Sequence, residues 1–117
     1  MDKFLMTTPL EAEYFTAVRL AVGGICALAG FDVDETEDFK VGVTESLLIL
    51  RRNGYTTATV ALCLGEGLSC RITGETLGGE KQDGMEDEIS RALLSALVNE
   101  VEFVANEERV TEIVFKG

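Results

Sequence analysis

Histidine is absent from these 117 residues, proline occurs once, and cysteine only three times. Without histidine, and with Cys26, Cys63 and Cys70 in no CxxC spacing, the usual donor sets for zinc or an iron–sulfur cluster are missing. The odd cysteine count fits small apolar fillers in a reducing compartment rather than a disulfide framework. No run approaches the roughly 18 apolar residues of a membrane-spanning helix, and the opening MDKFLMTT lacks the basic segment and apolar stretch of a signal peptide. A cytoplasmic protein is expected. Positive charge is also scarce: ten Lys and Arg stand against 21 Asp and Glu, a net charge of −11. That balance repels phosphate backbones and anionic lipid, so nucleic acid and membranes are disfavoured and a basic protein surface is the natural complement.

Apolar residues make up 46% of the chain and charged ones 26%, an ordinary globular composition. The length suits one domain over residues 1–117 with a core that needs no staples. A strand is expected at Lys3–Thr7, followed by a helix that Pro9, Glu11 and Glu13 open. Tyr14, Val18, Ala21, Val22, Ile25 and Ala29 form its apolar stripe, and Gly30 caps it. Gly23 and Gly24 inside this helix signal either a close approach to a neighbour or a kink. Phe39, Val43, Ser46, Leu47 and Leu50 recur on one face of a second helix, while Glu45 and Ile49 share another. Asp32, Asp34, Glu35, Glu37 and Asp38 gather at its start, where they complement the helix dipole or form an acidic binding patch.

Asn53-Gly54 signals a turn, and Tyr55–Leu64 and Leu68–Thr73 then alternate as two strands joined at Gly65-Glu66-Gly67. Period-two patterning pairs Val60 with Ile72, Leu62 with Cys70 and Leu64 with Leu68, which places Cys63 and Cys70 on opposite faces. A glycine-rich polar connection spans Gly74–Gly84. Asp83 and Glu86 read as a capping box for a third helix whose buried stripe is Ile89, Ala92, Leu93, Ala96 and Leu97. A last hairpin turns at Asn106–Arg109, with Val101, Phe103 and Ala105 on the side of Thr111, Ile113 and Phe115. This order suits an α+β, two-layer α/β sandwich with helices covering one face of a mixed, mostly antiparallel sheet.

Glu37-Asp38-Phe39-Lys40-Val41-Gly42-Val43-Thr44-Glu45 resembles the nucleotide-site helix of the bacterial anti-sigma-factor serine kinases, in the histidine-kinase-like ATPase superfamily. The family pattern there is Glu-Asp-Leu-Lys-x-Ala-Val-Ser-Glu-Ala-x-x-Asn-Ala. The preceding Arg19-Leu20-x-Val22-x-Gly24-Ile25-x-Ala27-x-x-Gly30-Phe31 is similar to the family's first helix, at the family's distance. The resemblance implies the histidine-kinase-like ATPase fold, and it makes Glu11, Glu13 and Arg19 candidate partner-binding residues, the alternative being ordinary solvated surface residues. It also implies where a nucleotide would sit. Glu45 matches the catalytic base, but the family's magnesium-binding asparagine falls on Ile49, which has no oxygen donor.

The family's Asp-x-Gly-x-Gly adenine motif falls on Gly74-Glu75-Thr76-Leu77-Gly78, so Gly74 replaces the aspartate and Thr76 a glycine. Residues 74–84 stand where the family carries a longer ATP lid and phosphate loop, and Glu86, Asp87 and Glu88 would repel a triphosphate. The resemblance therefore implies a degenerate nucleotide pocket at Glu45, Ile49, Gly74 and Thr76, with Glu45 vestigial. No metal or cofactor is expected, and the role is that of a non-catalytic anti-sigma-factor-like regulator. Its expected partner is a sigma factor or an anti-anti-sigma protein, with a homodimer a further expectation. An ATP-dependent protein serine kinase is the alternative, and a purely structural dimer-forming domain is a third. Leu48, Ile49 and Leu50 make the former nucleotide face apolar, which either closes it by packing or offers a contact to a partner.

Overall fold

The computed structural model describes residues 2–117. In chain order the elements are β1 (Asp2–Pro9), α1 (Ala12–Leu28), α2 (Val33–Arg52), β2 (Tyr55–Gly65), β3 (Gly67–Leu77), α3 (Met85–Leu97), β4 (Asn99–Asn106) and β5 (Arg109–Lys116). The strands form one sheet in the order β1-β2-β3-β5-β4, and every ladder is antiparallel. The expected mixed sheet is thus corrected. A single helix between β3 and β4 makes those strands parallel in direction, but β5 folds back between them and removes the parallel contact. Two helices between β1 and β2 return the chain antiparallel in the same way.

Alternating side chains of β2, β3 and β5 build one floor of the core. Val60, Leu62, Cys70, Ile72, Ile113 and Phe115 are buried, and the expected pairs Val60 with Ile72, Leu62 with Cys70 and Leu64 with Leu68 all form. Cys70 consequently points into the core while Cys63 lies on the other face, half-buried. Helix α2 lies over this floor with Phe39, Val43, Ser46, Leu47 and Leu50 inward. Burying a side chain of that size contributes about 2 kcal/mol. The Phe39 ring meets Phe115 at 5.2 Å and Phe31 at 5.8 Å between centroids. At Gly42 the helix comes so close that a Cβ would stand 2.9 Å from Val98 and 3.4 Å from Phe115. The start of α2 is a complete capping box, in which the Glu35 amide donates to Asp32 and the Asp32 amide donates to Glu35.

Several expectations are corrected. Pro9 ends β1, opposite Thr57, instead of opening α1; proline suits a strand terminus on a sheet edge as well as a first helical turn. The α1 stripe is Phe15, Val18, Val22 and Cys26, with Tyr14 and Ala21 exposed, because apolar residues on both sides of this helix let the pattern be read one position off. Gly23 is a close approach: a Cβ there would lie 2.8 Å from Lys40 Cε on α2. Strand β3 runs on to Leu77, so the connection after it is shorter than residues 74–84. Helix α3 has Gly84 at its N-cap with no side-chain bond, and Asp83 pairs instead with Lys81 at 3.5 Å. Its buried residues are Ser90 and Leu94, whereas Ile89, Ala92, Leu93 and Ala96 of the expected stripe are exposed and Leu97 is half-buried. In the last hairpin Phe103 pairs with Ile113 as expected, but a register shift between Val104 and Ala105 leaves Ala105 exposed and Val110 buried. Its tip, Glu107-Glu108, has φ of 51° and 67°.

Candidate functional site

The helix that carries the family resemblance ends against α3 and the start of β2. Glu45, one turn before Ile49, faces α3, where the buried hydroxyl of Ser90 donates to Glu45 Oε1 at 2.8 Å. The same hydroxyl accepts from Arg52 Nη2 at 2.7 Å. Asp87 extends the chain, 3.4 Å from Arg52 Nη1 and 2.9 Å from Arg91 Nε. Arg91 in turn lies 4.3 Å above the Phe103 ring centroid. Glu45 is therefore a partnered carboxylate, joined through one hydroxyl to a guanidinium, and the network spans α2, α3 and β4. In a half-buried setting such charge-assisted bonds are worth more than exposed ion pairs.

Ile49, on the same row of α2 as Glu45, is fully buried in the core and brings no oxygen to the surface. One turn further, buried Asn53 closes the helix: its Nδ2 donates to the Ile49 carbonyl at 2.8 Å, and its Oδ1 accepts from the Val110 amide at 2.9 Å. Gly74 sits inside the β2–β3 ladder opposite Ala58, under the ring of Tyr55. A Cβ at Gly74 would lie 2.5 Å from that ring, so an aspartate there would displace the tyrosine. Thr76 is a strand residue whose hydroxyl meets that of Thr57 at 2.8 Å.

The connection from β3 to α3 is held down on the end of α2. Gly78 and Gly79 amides both donate to the Gly54 carbonyl at 2.9 Å, and the Gln82 amide donates to the Arg52 carbonyl at 2.6 Å. Arg109 Nη1 reaches the Asn53 carbonyl at 2.8 Å, and Lys81 Nζ reaches the Glu108 carbonyl at 2.7 Å. Close approach at Gly54, with φ of 95°, leaves no room for a side chain beneath Gly79. Two shallow clefts remain at this end. One of about 350 Å³ is lined by residues including Leu48, Arg51, Arg52 and Glu86, and one of about 300 Å³ by residues including Glu11, Tyr55 and Glu80. Neither is lined by Glu45, Ile49, Gly74 or Thr76.

Burial raises the Cys26 thiol to about 11, with Lys40 acting in the opposite direction, and desolvation pushes Cys70 up as well. Glu11, the N-cap of α1, and Glu13 are exposed; Arg19 is half-buried and donates to Thr16 at 3.4 Å. Among the described residues none of these three forms an ion pair. The residues that sequence reasoning missed are Arg52, Ser90, Tyr55 and Arg109, which act through contacts far apart in the chain. Only Asn53, beside a turn glycine, and Asp32-x-x-Glu35, a capping-box spacing, carried a local signal.

Among the described residues no helix is long and apolar enough to cross a membrane. No protein-family model matches the chain. Part of it is similar to proteins named serine-protein kinase RsbW from Bacillus cereus (strain AH187), Bacillus thuringiensis (strain Al Hakam) and Bacillus mycoides (strain KBAB4). Each is 32% identical over 54 residues, which cover 46% of this chain and 34% of the relative. The matched stretch thus spans about a third of those kinases, and the chain is their distant, partial relative.

Proposed function

We propose that this chain is a non-catalytic relative of the anti-sigma serine kinases, built on a histidine-kinase-like ATPase fold and acting as a regulatory protein-binding module without magnesium–nucleotide chemistry. The observation that carries the reading is the state of α2. Where the family's magnesium ligand would stand, Ile49 is sealed in the core, and Glu45 is joined to Ser90 and Arg52. On the sheet side, Tyr55 covers Gly74, where the family places its adenine-reading aspartate. These residues do not fit a magnesium-bound nucleotide: the cation needs oxygen ligands, and the base needs an acceptor for its amino group. Fold alone does not transfer activity. The resemblance to anti-sigma kinases names the partner class as a sigma factor or an anti-anti-sigma protein, in the cytoplasm, and a net charge of −11 favours a basic face on that partner. Titration with ATP and magnesium, followed by calorimetry, tests the reading. No saturable heat is expected, and micromolar saturable binding would overturn it.

The retained Glu45, with its carboxylate only half-buried, and the kinase name of the relatives favour a second reading, an ATP-dependent serine kinase. Radiolabelled phosphate transfer to an anti-anti-sigma protein, abolished by Glu45→Gln, is the result that would establish it.

A further inference from the structure

Among the described residues, helix α3 is the one helix whose strongest apolar stripe turns away from the core. Met85, Ile89 and Leu93 are 73%, 53% and 37% exposed, and Ala92 and Ala96 join them on the same outward face. Spacings of four, seven or eight, and eleven residues keep these five side chains in line over three turns, a strip about 17 Å long. The inward side of α3 is instead polar at its centre, where Ser90 bridges Glu45 and Arg52. A strip of this kind on an otherwise charged surface marks an interaction site.

Charge defines what can cover it. Glu86 and Glu88 flank the strip on either side, and among the described residues neither forms an ion pair. Of the nearby cations, Arg52 and Arg91 both bind Asp87 and Lys81 binds Asp83, while Arg51, which lines the same cleft as Glu86, makes no ion pair among the described residues and lies on the α2 side, away from Glu88. We propose that the outer face of α3 docks an amphipathic helix of a protein partner, its apolar stripe bordered by lysine or arginine that meets Glu86 and Glu88. A second copy of this chain is the poorer occupant. Parallel pairing of two α3 strips brings the acidic first turns together, and antiparallel pairing sets Glu86 and Glu88 beside the other copy's last α3 turn, which carries no basic residue to meet them. The geometry is that of helix-in-groove recognition, in which one stripe supplies the affinity and flanking charge supplies orientation.

This inference rests on the reading of the chain as a partner-binding module, but it fails separately, because a peptide titration reports on α3 and a nucleotide titration on α2. The probe is a fluorescent peptide of about 18 residues, long enough to support a helix, with leucine at i, i+3, i+4 and i+7 and lysine elsewhere. Two controls are a scrambled peptide of the same composition and one with glutamate replacing lysine. Saturable anisotropy is expected for the ordered lysine peptide alone, weakened about tenfold by Ile89→Ser, by Leu93→Ser, and by Glu86→Lys with Glu88→Lys. Each variant's unchanged melting curve separates lost docking from lost folding. Equal binding of the scrambled peptide would mean bare charge attraction and would overturn the proposal. So would preference for the glutamate peptide, saturable binding by none of the three, or a concentration-dependent dimer in sedimentation that Ile89→Ser dissolves.

Discussion

Helices α2 and α3 are both amphipathic, and they use that property in opposite ways. In α2 the stripe led by Phe39, Val43, Leu47 and Leu50 enters the core, and even the second face closes, with Ile49 fully buried. In α3 the stripe of Met85, Ile89 and Leu93 stays in water, and the helix is fixed by Leu94 and by polar bonds through Ser90 and Asp87. Periodicity therefore reports that a helix has an apolar side; whether its own domain covers that side is decided by the neighbours. Here α2 has the sheet beneath it, while α3 sits beside α2 and meets it through a hydroxyl, a guanidinium and two carboxylates.

Placing asparagine in the two helices sharpens the contrast most. Ile49→Asn should lower the unfolding free energy by about 3 kcal/mol or more, since an amide enters an apolar core without partners. Urea unfolding measures it, and a loss as small as that of a surface change would show that Ile49 is not sealed in solution. Gly74→Asp comes next, with an expected loss of about 2 kcal/mol from collision with the Tyr55 ring. A thermodynamic cycle with Tyr55→Ala should show a smaller penalty for the aspartate once the ring is gone. Ser90→Ala should cost about 1 to 2 kcal/mol, because Glu45 and Arg52 lose their shared partner. An unaffected melting temperature would mean that α3 is held by Leu94 and the Asp87–Arg52 pair without help from Ser90. Ile89→Asn should change stability by less than about 0.5 kcal/mol, as exposed positions do. If it destabilises the protein as much as Ile49→Asn, the strip is covered in solution and the contrast between the helices collapses.

Much of this was legible in the sequence where a period met a single buried face. The β2–β3 register followed from strict alternation, since a slip by one residue would have set Leu62 against Arg71. The core stripe of α2 followed because its polar and apolar sides are cleanly divided. Reading failed where two faces were apolar, as in α1 with Tyr14 beside Phe15, or where the apolar face was the outer one, as in α3. The spacing read as a capping box was Asp83-x-x-Glu86, yet the box that forms is Asp32–Glu35. Asp83 is drawn to Lys81, and Gly84 takes an extended backbone at the N-cap. At the candidate site, the lack of an oxygen donor at Ile49 and of a carboxylate at Gly74 could be read directly. The groups that fill the gaps could not. Ser90 lies 45 residues from Glu45, and Tyr55 reaches Gly74 only through strand pairing.

Three main-chain bonds from Gly78, Gly79 and Gln82 fasten the β3–α3 connection to the end of α2. The helix end and the connection are thereby yoked, so a side chain forced in at Gly54, against the Gly79 carbonyl oxygen, would disturb both at once.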